Sequence, residues 1–208
     1  MKTYVMMFVI LLLLGIAHQG SSQQVIQPKP PSEETMAGPA PGSDPKRLTM
    51  EEGKTIFGLG YSLEYICSFT ATLRPEVIGP LAEGLRVNYH FTGGEVDGPK
   101  LRGKFRPGGA DFVTMRRDGV GVLDIRGTIE THDGAVIYVI GSGLTYTSED
   151  AYERAMKKDL PASVPLRAAL HLATVHPGYL WVNRLQFVEI GEMVRARGEV
   201  HVDLYALK

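Results

Sequence analysis

Apolar and polar side chains alternate over short runs along most of the chain, from Tyr61 to the C-terminus. The run LDIRGTI (123–129) is typical: its leucine and isoleucines share one face, while Asp124, Arg126 and Thr128 share the other. Successive strand residues point to opposite sides of a sheet, so this run predicts a β-strand with one apolar and one polar face. The polar face lies in solvent or lines a pocket, and the pattern alone allows both.

Similar runs, rich in β-branched and aromatic residues, predict a series of strands. They cover residues 61–73, 87–96, 99–106, 111–117, 120–131, 135–141, 167–175, 179–194 and 199–207. Three Asp-Gly pairs, which favour the tight turns of β-hairpins, separate several of these runs: Asp97-Gly98, Asp118-Gly119 and Asp133-Gly134. The spacing therefore predicts a meander of consecutive antiparallel strands.

One helix is predicted within the segment SEDAYERAMKK (148–158). Thr147 can cap it, and Asp150, three positions later, completes a capping box. Its apolar stripe is expected to cover an edge or the mouth of the sheet structure.

Many short antiparallel strands with a single helix predict an all-β fold, a single closed or nearly closed antiparallel β-barrel with one short helix. Closure removes the exposed strand edges that lead to aggregation. A small barrel of this kind can hold one small ligand inside. We assign the barrel domain to residues 61–208.

The N-terminal residues predict export. Lys2 precedes the apolar run 5–16, which is too short to cross a bilayer comfortably and suits the core of a signal peptide. We expect a removable signal at 1–22 and a secreted or periplasmic protein without stable membrane insertion afterwards; an uncleaved anchor is the rival interpretation. Residues 23–60 predict a flexible Pro/Gly-rich leader, although 46–60 could form a short helical turn or an extra strand.

Charge and motifs exclude several functions. The 22 Lys and Arg nearly balance the 23 Asp and Glu, so no net field attracts nucleic acid or an anionic membrane surface. Cys67 is the single cysteine, which excludes an internal disulfide and favours a small buried apolar residue. The motifs of serine hydrolases, zinc proteases and nucleotide enzymes are missing, and the histidines are scattered, so the sequence predicts neither a metal site nor a cofactor.

Three segments carry a resemblance to a known family. They are TGGEVDGPKLRGKFRPGGADF (92–112), DGVGVLDIRGTIETHDGAVIYV (118–139) and YLWVNRLQFVEIGE (179–192), followed by a closing VHVDLYAL. In order and spacing they resemble the bacterial and fungal family called domain of unknown function 3237. The resemblance implies an antiparallel barrel related in shape to the ligand-carrying calycins and implies little about activity. His90 departs from the family pattern, so the resemblance supports no chemical role for it.

The candidate site combines residues from three predicted strands. Asp124 and Arg126 form the D-x-R motif that is part of the family resemblance, and they are the candidate catalytic residues. On an open surface these two side chains would form only a weak ion pair. Tyr138, Trp181 and Asn183 are candidate ligand-binding residues, because an aromatic surface and an amide among apolar neighbours are typical of a pocket wall. Asp111 is a further candidate, although a structural role in the GGAD turn is favoured over a catalytic one.

These residues support three hypotheses for an exported barrel. The first is a module that binds a small, partly apolar organic molecule inside the barrel. The second is a cofactor-independent isomerase, cyclase or lyase, in which Asp124 moves a proton and Arg126 stabilises negative charge. The third is a structural envelope protein with a filled core. The sequence leaves the oligomeric state open.

Overall fold

Residues 63–207 fold mainly into one antiparallel sheet that closes on itself. The computed structural model describes residues 53–54 and 60–208, so the predicted signal peptide and most of the predicted leader lie outside the described residues. The strands are β1 (Gly53–Lys54), β2 (Gly60–Tyr61), β3 (Leu63–Pro80), β4 (Leu85–Asp97), β5 (Gly103–Phe105), β6 (Ala110–Met115), β7 (Val120–Thr131), β8 (Val136–Tyr146), β9 (Ser163–Ala173), β10 (Gln186–Val194) and β11 (Glu199–Leu207).

Strands β3 to β11 form a barrel with eight positions around its wall. They run in the order β3-β11-β10-β9-β8-β7-β5-β4-β6, and additional pairings join β3 to β4 and β6 to β7. Both β5 and β6 pair with β4 on one side and with β7 on the other, so these two short strands share one position. This confirms the predicted single antiparallel β-barrel, and closure leaves it without a free edge.

The strand boundaries follow the predicted ones closely at β7 and β11 and differ elsewhere. The predicted strand 99–106 shrinks to Gly103–Phe105, because the chain turns through Pro107, Gly108 and Gly109 before β6. In contrast, β3 continues to Pro80 and forms a long hairpin with β4. β1 and β2 form a separate two-stranded sheet. Of the two alternatives for residues 46–60, a short helical turn or an extra strand, the structure has a strand at Gly53–Lys54.

The prediction of one strand over 179–194 is wrong in its first half. Pro177–Arg184 forms a 3₁₀ helix, here called the base helix, and β10 starts only at Gln186. The side chain of Asn183 accepts a hydrogen bond from the Thr174 backbone N–H (2.8 Å) and donates one to the Thr174 carbonyl (2.9 Å). These two bonds pair the peptide groups of Thr174 within a short loop, which a continuous strand could not do.

A single α-helix, α1 (Ala151–Met156), lies in the described part of the chain. The predicted capping box is wrong: the N-cap is Asp150, and its carboxylate accepts a hydrogen bond from the Ser148 hydroxyl at 2.6 Å instead of capping the helix. The side chains of Ala151 and Tyr152, in the first turn of this helix, are buried. No helix among the described residues is long and apolar enough to span a membrane.

The two ends of the barrel are built differently. Consecutive connections of antiparallel strands lie at opposite ends, so α1, between β8 and β9, and the base helix, between β9 and β10, are at opposite ends. We call the end with α1 and the β3–β4 hairpin the mouth, and the other end the base. At the base, Val182 is fully buried, and the Tyr179 hydroxyl donates a hydrogen bond of 3.0 Å to Asp133 in the β7–β8 turn.

Aromatic side chains fill the half of the barrel nearer the base. Phe105 packs against Phe69 and Phe91, with ring centroids 5.5 and 4.7 Å apart. Gly127 makes room for this packing, because a Cβ atom there would lie 2.5 Å from the Phe105 ring. Cys67 is fully buried, as predicted, and burial raises the pKa of its thiol to about 12.

Candidate functional site

The half of the barrel nearer the mouth encloses a cavity of about 80 Å³. Its walls are mostly apolar and include Phe91, Leu123, Ile125 and Val139. A wider pocket of about 460 Å³ lies at the mouth, beside α1 and the β3–β4 hairpin. The two spaces adjoin each other, because seven residues line both: Leu73, Tyr89, Val113, Met115, Leu160, Met193 and Arg195.

Two carboxyl groups, those of Asp111 and Glu189, interrupt the apolar lining of the inner cavity. Asp111 lies on β6, on the same face as Val113 and Met115, which also line the cavity. Glu189 lies on β10, on the same face as the fully buried Phe187. In each strand the alternation that brings apolar side chains inside also brings in one acid.

Asp111 compensates for an interruption in the sheet. β6 and β7 pair at Asp111 and Ile125 and again at Thr114 and Val122, with no ladder pair between these two positions. One oxygen of the Asp111 carboxylate accepts a hydrogen bond of 3.0 Å from the backbone N–H of Asp124, next to this gap. The bond ties β6 to β7, and it differs from the predicted capping of the GGAD turn.

The pKa of Asp111 is raised to about 7, mainly by burial. The hydrogen bond from the Asp124 backbone lowers it, the nearby charge of Asp124 raises it, and Arg86 has a smaller lowering effect. An apolar environment disfavours the ionised carboxylate, so protonation near neutral pH follows from the position of Asp111 inside the barrel.

Glu189 is more deeply buried, with 4% of its surface exposed. Its neighbours across the ladders are Ala168 on β9 and Leu204 on β11, which offer no polar side chain. Burial and, secondarily, the charge of Asp111 raise the pKa of Glu189 to about 8, and no hydrogen bond from a described residue lowers it. Glu189 is therefore mostly a neutral carboxylic acid at pH 7.

The two acids face each other across the barrel. β6 and β10 are four positions apart in either direction around the eight-position wall, so they are diametrically opposed. Both side chains line the same cavity, and the charge of Asp111 acts on Glu189. At neutral pH the cavity thus contains a hydrogen-bond donor, the Glu189 acid, and opposite it a group that is partly ionised.

Tyr89 and Arg195 mark the passage between the inner cavity and the mouth, since both line the two spaces. One guanidinium nitrogen of Arg195 donates a hydrogen bond of 2.5 Å to the Leu160 carbonyl, which fixes the arginine beside the opening. Burial raises the pKa of the Tyr89 phenol, and the charge of Arg195 lowers it. The tyrosine hydroxyl and the arginine supply polar contacts at the rim of an apolar space.

Asp124 and Arg126 lie on the outer face of the barrel, which contradicts the predicted convergence of the candidate residues inside it. Leu123 and Ile125 line the cavity, so the residues that alternate with them point outward. Arg126 donates to the Ile125 carbonyl at 2.8 Å and forms an ion pair of 2.5 Å with Asp124, and the two side chains are 40% and 49% exposed. The polar face of LDIRGTI is therefore the solvent face.

The three other candidates also lie away from the cavity. Tyr138 is on the outer face of β8, between the buried Ile137 and Val139. Trp181 belongs to the base helix and packs on Phe187 with ring centroids 6.3 Å apart, and Asn183 binds the Thr174 backbone. Of the six candidate residues, the structure brings only Asp111 into the cavity.

Glu189 was missed, although the sequence contains a signal for it. In QFVEIGEM (186–193) it falls on the same alternating face as Phe187 and Met193, both large and apolar. An acid on the apolar face of a strand is a buried polar group, which is rare without a functional or structural reason. The same pattern places Asp111 with Val113 and Met115.

Two other features of the described residues have no link to the cavity. His90, the departure from the family pattern, is on the outer face of β4 and contacts Glu76 at 2.7 Å. Within the described part of the chain, no group of three or more His, Cys, Asp or Glu side chains could hold a metal ion.

Comparison with known proteins identifies relatives over the barrel. The model of a family described as "Protein of unknown function (DUF3237)" matches residues 61–207. The UPF0311 protein of Rhodopseudomonas palustris (strain TIE-1) is 29% identical over 145 residues, which cover 68% of this chain and 94% of the relative.

Solved structures show the same architecture. A protein of unknown function from Clostridium acetobutylicum ATCC 824 is 27% identical, with a TM-score of 0.64 and coverage of 71% of this chain and 99% of that one. A β-barrel-like protein from Acinetobacter baumannii AYE is also 27% identical, with a TM-score of 0.61 and coverage of 71% and 96%. The part of the chain that these proteins share is the barrel.

Proposed function

The chain belongs to the family described as "Protein of unknown function (DUF3237)", and from this premise we propose that its barrel binds a small, partly apolar organic molecule inside. One observation carries the proposal: a mostly apolar cavity lies inside the barrel and adjoins a wider pocket at the mouth. Concave, mostly apolar sites with a few polar groups are the usual form of small-molecule sites.

The surroundings of the mouth support an apolar ligand. Val77, Ile78 and Leu81, near the tip of the β3–β4 hairpin, and Met156 on α1 are all exposed. Val77 and Met156 also line the mouth pocket, and exposed apolar side chains grouped at a pocket are typical of ligand-binding sites.

The polar groups supply orientation. A ligand inside the barrel would meet the Asp111 and Glu189 carboxyls at its inner end and the Tyr89 hydroxyl and Arg195 at its outer end. Its uncharged polar atoms could accept a hydrogen bond from the neutral Glu189 acid. Its apolar part would contact the phenylalanine and aliphatic side chains of the wall.

The test is a titration with 1-aminoanthracene, an uncharged aromatic dye that fluoresces more strongly in apolar surroundings. We expect saturable binding, weakened at least about tenfold by Leu123→Trp, which fills the cavity from β7. Val122→Trp is the matched control, because it introduces the same side chain at the residue directly before Leu123, on the outer face of β7. Val139→Phe provides a second filling variant, and circular dichroism shows whether each variant folds.

Two results would contradict binding inside the barrel. The first is that the wild-type protein gives no saturable signal. The second is that the folded Leu123 or Val139 variants bind the dye as well as the Val122 control does. A signal that survives filling of the cavity would come from the outer surface or from the rim.

We also propose that the protein acts outside the cytoplasm, on the strength of the apolar run at 5–16 and the small residues Gly20 and Ser22. Mass spectrometry of the protein purified from its own host should give a mature chain that begins at Gln23. A full-length chain that starts at Met1 would contradict removal of the signal.

A further inference from the structure

We propose that Asp111 and Glu189 form an internal acid–base pair that transfers protons to and from an uncharged carbonyl compound bound between them. This inference rests on the proposed binding function. It assigns catalysis to the interior of the barrel and to residues other than Asp124 and Arg126.

Geometry is the first support. The two carboxyls line one cavity from opposed strands, so a molecule in the cavity lies between them. Asp111 is held by the Asp124 backbone N–H at 3.0 Å through one carboxylate oxygen, which leaves the second oxygen available. A catalytic base has to be positioned before its basicity matters, and this bond positions Asp111.

The second support is that Glu189 has no hydrogen-bond partner among residues 53–54 and 60–208. Its side chain is buried and lines the cavity, and no described residue donates a hydrogen bond to it. Buried polar groups are normally hydrogen-bonded, and an unpaired one destabilises the fold. A structural carboxyl would have been replaced at lower cost by an apolar side chain, so the acid fits a ligand that completes its hydrogen bonding.

The protonation states suit the exchange of a proton. Burial raises the pKa of Asp111 to about 7 and that of Glu189 to about 8, so near neutral pH the two carboxyls hold an exchangeable proton, and the hydrogen bond from the Asp124 backbone favours Asp111 as the ionised partner. Tyr89 on β4 and Arg195 after β10 line the cavity together with the pair, and the charges of Asp124 on β7 and Arg86 on β4 act on Asp111 from the outer face. A base and an acid with pKa values near the working pH are the combination that general acid–base catalysis requires.

The step balances without a cofactor or an oxidant. The Asp111 carboxylate removes a proton from the carbon next to the carbonyl, and the C–H electron pair forms a C=C bond. The carbonyl π electrons form an O–H bond with the proton that Glu189 donates, which gives an enol. Return of a proton to carbon and loss of the enol proton to Glu189 restore both residues. When the proton returns to a different carbon, the product is an isomer.

The pair carries one negative charge throughout this cycle. The charge moves from Asp111 to Glu189 and back, so no net charge is created in the apolar cavity at any step. A single buried carboxyl would instead leave an enolate without a donor, which low-dielectric surroundings penalise. This conservation of charge is the physical reason for two acids instead of one.

The experiment uses 2-indanone, an uncharged, partly apolar ketone with exchangeable protons next to its carbonyl. In D₂O near pH 7.5, ¹H NMR follows the replacement of these protons by deuterium, and saturation-transfer difference in the same sample reports binding. We expect wild-type protein to accelerate the exchange and Asp111→Asn to lower this acceleration about 100-fold. Asn keeps an oxygen that can accept the hydrogen bond from the Asp124 backbone.

Glu189→Gln should lower the acceleration about tenfold, because the amide donates a hydrogen bond but not a proton. Glu192→Gln is the matched control: Glu192 lies on the same strand and binds the Ser163 hydroxyl on the outer face. Its exchange rate should equal that of the wild type.

The outcomes separate the two proposals. If 2-indanone binds and the exchange rate is the same in the wild type and in folded Asp111→Asn, the acid–base pair is wrong and binding stands. If the wild-type protein shows no saturation transfer to 2-indanone, the ligand-binding proposal fails as well. Acceleration that is lost in both interior variants and kept in the control supports the pair.

Discussion

Glu189 occupies a position where its ionised form is unfavourable, and this makes the stability of the barrel depend on pH. Its pKa is about 8 in the folded protein, compared with an ordinary value of 4.5. The folded state therefore holds its proton more tightly than the unfolded chain does. The free energy of unfolding therefore falls as the pH rises from about 4.5 to about 8, because the unfolded chain releases the proton of Glu189 before the folded protein does. Above about pH 8 this loss of stability is complete.

Glu189→Gln should remove this dependence. We expect the free energy of unfolding of the wild type, relative to the variant, to fall by about 4 kcal/mol between pH 5 and pH 9, because each unit of pKa shift corresponds to about 1.4 kcal/mol. Urea unfolding at pH 5, 7 and 9 measures this difference. Glu192→Gln should follow the wild type, and a difference that stays constant with pH for Glu189→Gln would mean that Glu189 is not buried as an acid.

At the scale of single residues, the alternation of the strands was a better guide than the chemistry of the side chains. The pattern of LDIRGTI correctly separates Leu123 and Ile125 from Asp124 and Arg126, but the candidate site wrongly places the polar face in a pocket. In a small closed barrel the apolar face is the inner one, since the interior is too narrow to hydrate a polar face. The same rule, applied to the acids on apolar faces, identifies Asp111 and Glu189.

At the scale of elements, Asn183 stabilises the base helix instead of contacting a ligand. Its amide makes two hydrogen bonds to the Thr174 backbone, at 2.8 and 2.9 Å. Asn183→Ala should lower the free energy of unfolding by about 0.5–1.5 kcal/mol, since two solvent-exposed peptide groups lose their protein partner. Thermal unfolding measures this loss, and the affinity for 1-aminoanthracene should not change. Weakened dye binding by a folded Asn183→Ala would place the ligand near the base.

The elements that the sequence predicts well are those whose pattern has one physical cause. β7 and β11 alternate without interruption and lie between turns, so their limits agree with the predicted 120–131 and 199–207. The base helix was missed because YLWVN also alternates, although Pro177 and the hydrogen bonds of Asn183 favour a turn. The prediction of a capping box at Thr147 is wrong for a similar reason, because Asp150 is the N-cap and its carboxylate accepts a hydrogen bond from Ser148.

At the scale of the whole molecule, closure could be predicted and the cavity could not. Many consecutive antiparallel strands predict a barrel, because an open sheet would leave two unpaired edge strands. The hollow depends on how side chains from different strands meet: Phe105 fills the half near the base because Gly127 faces it, and the half near the mouth stays open. Such contacts join residues that are distant in sequence, and no local pattern contains them.

The two ends of the barrel predict a single route for a ligand. The base is closed by Val182 and Trp181 of the base helix, which pack against the core, whereas Met193 lines both the inner cavity and the mouth pocket. Met193→Trp should narrow this passage and slow the association of 1-aminoanthracene about tenfold, which corresponds to about 1.4 kcal/mol of barrier. Stopped-flow fluorescence measures the rate.

The matched control for this route is Leu180→Trp, which places the same side chain on a partly exposed position of the base helix. It should leave the association rate unchanged, because a molecule that enters at the mouth never passes the base helix. If Leu180→Trp slows association and folded Met193→Trp does not, the ligand enters through the base. Entry there would require the base helix to move away from the core, so the Asn183 bonds to Thr174 would then control access as well as stability.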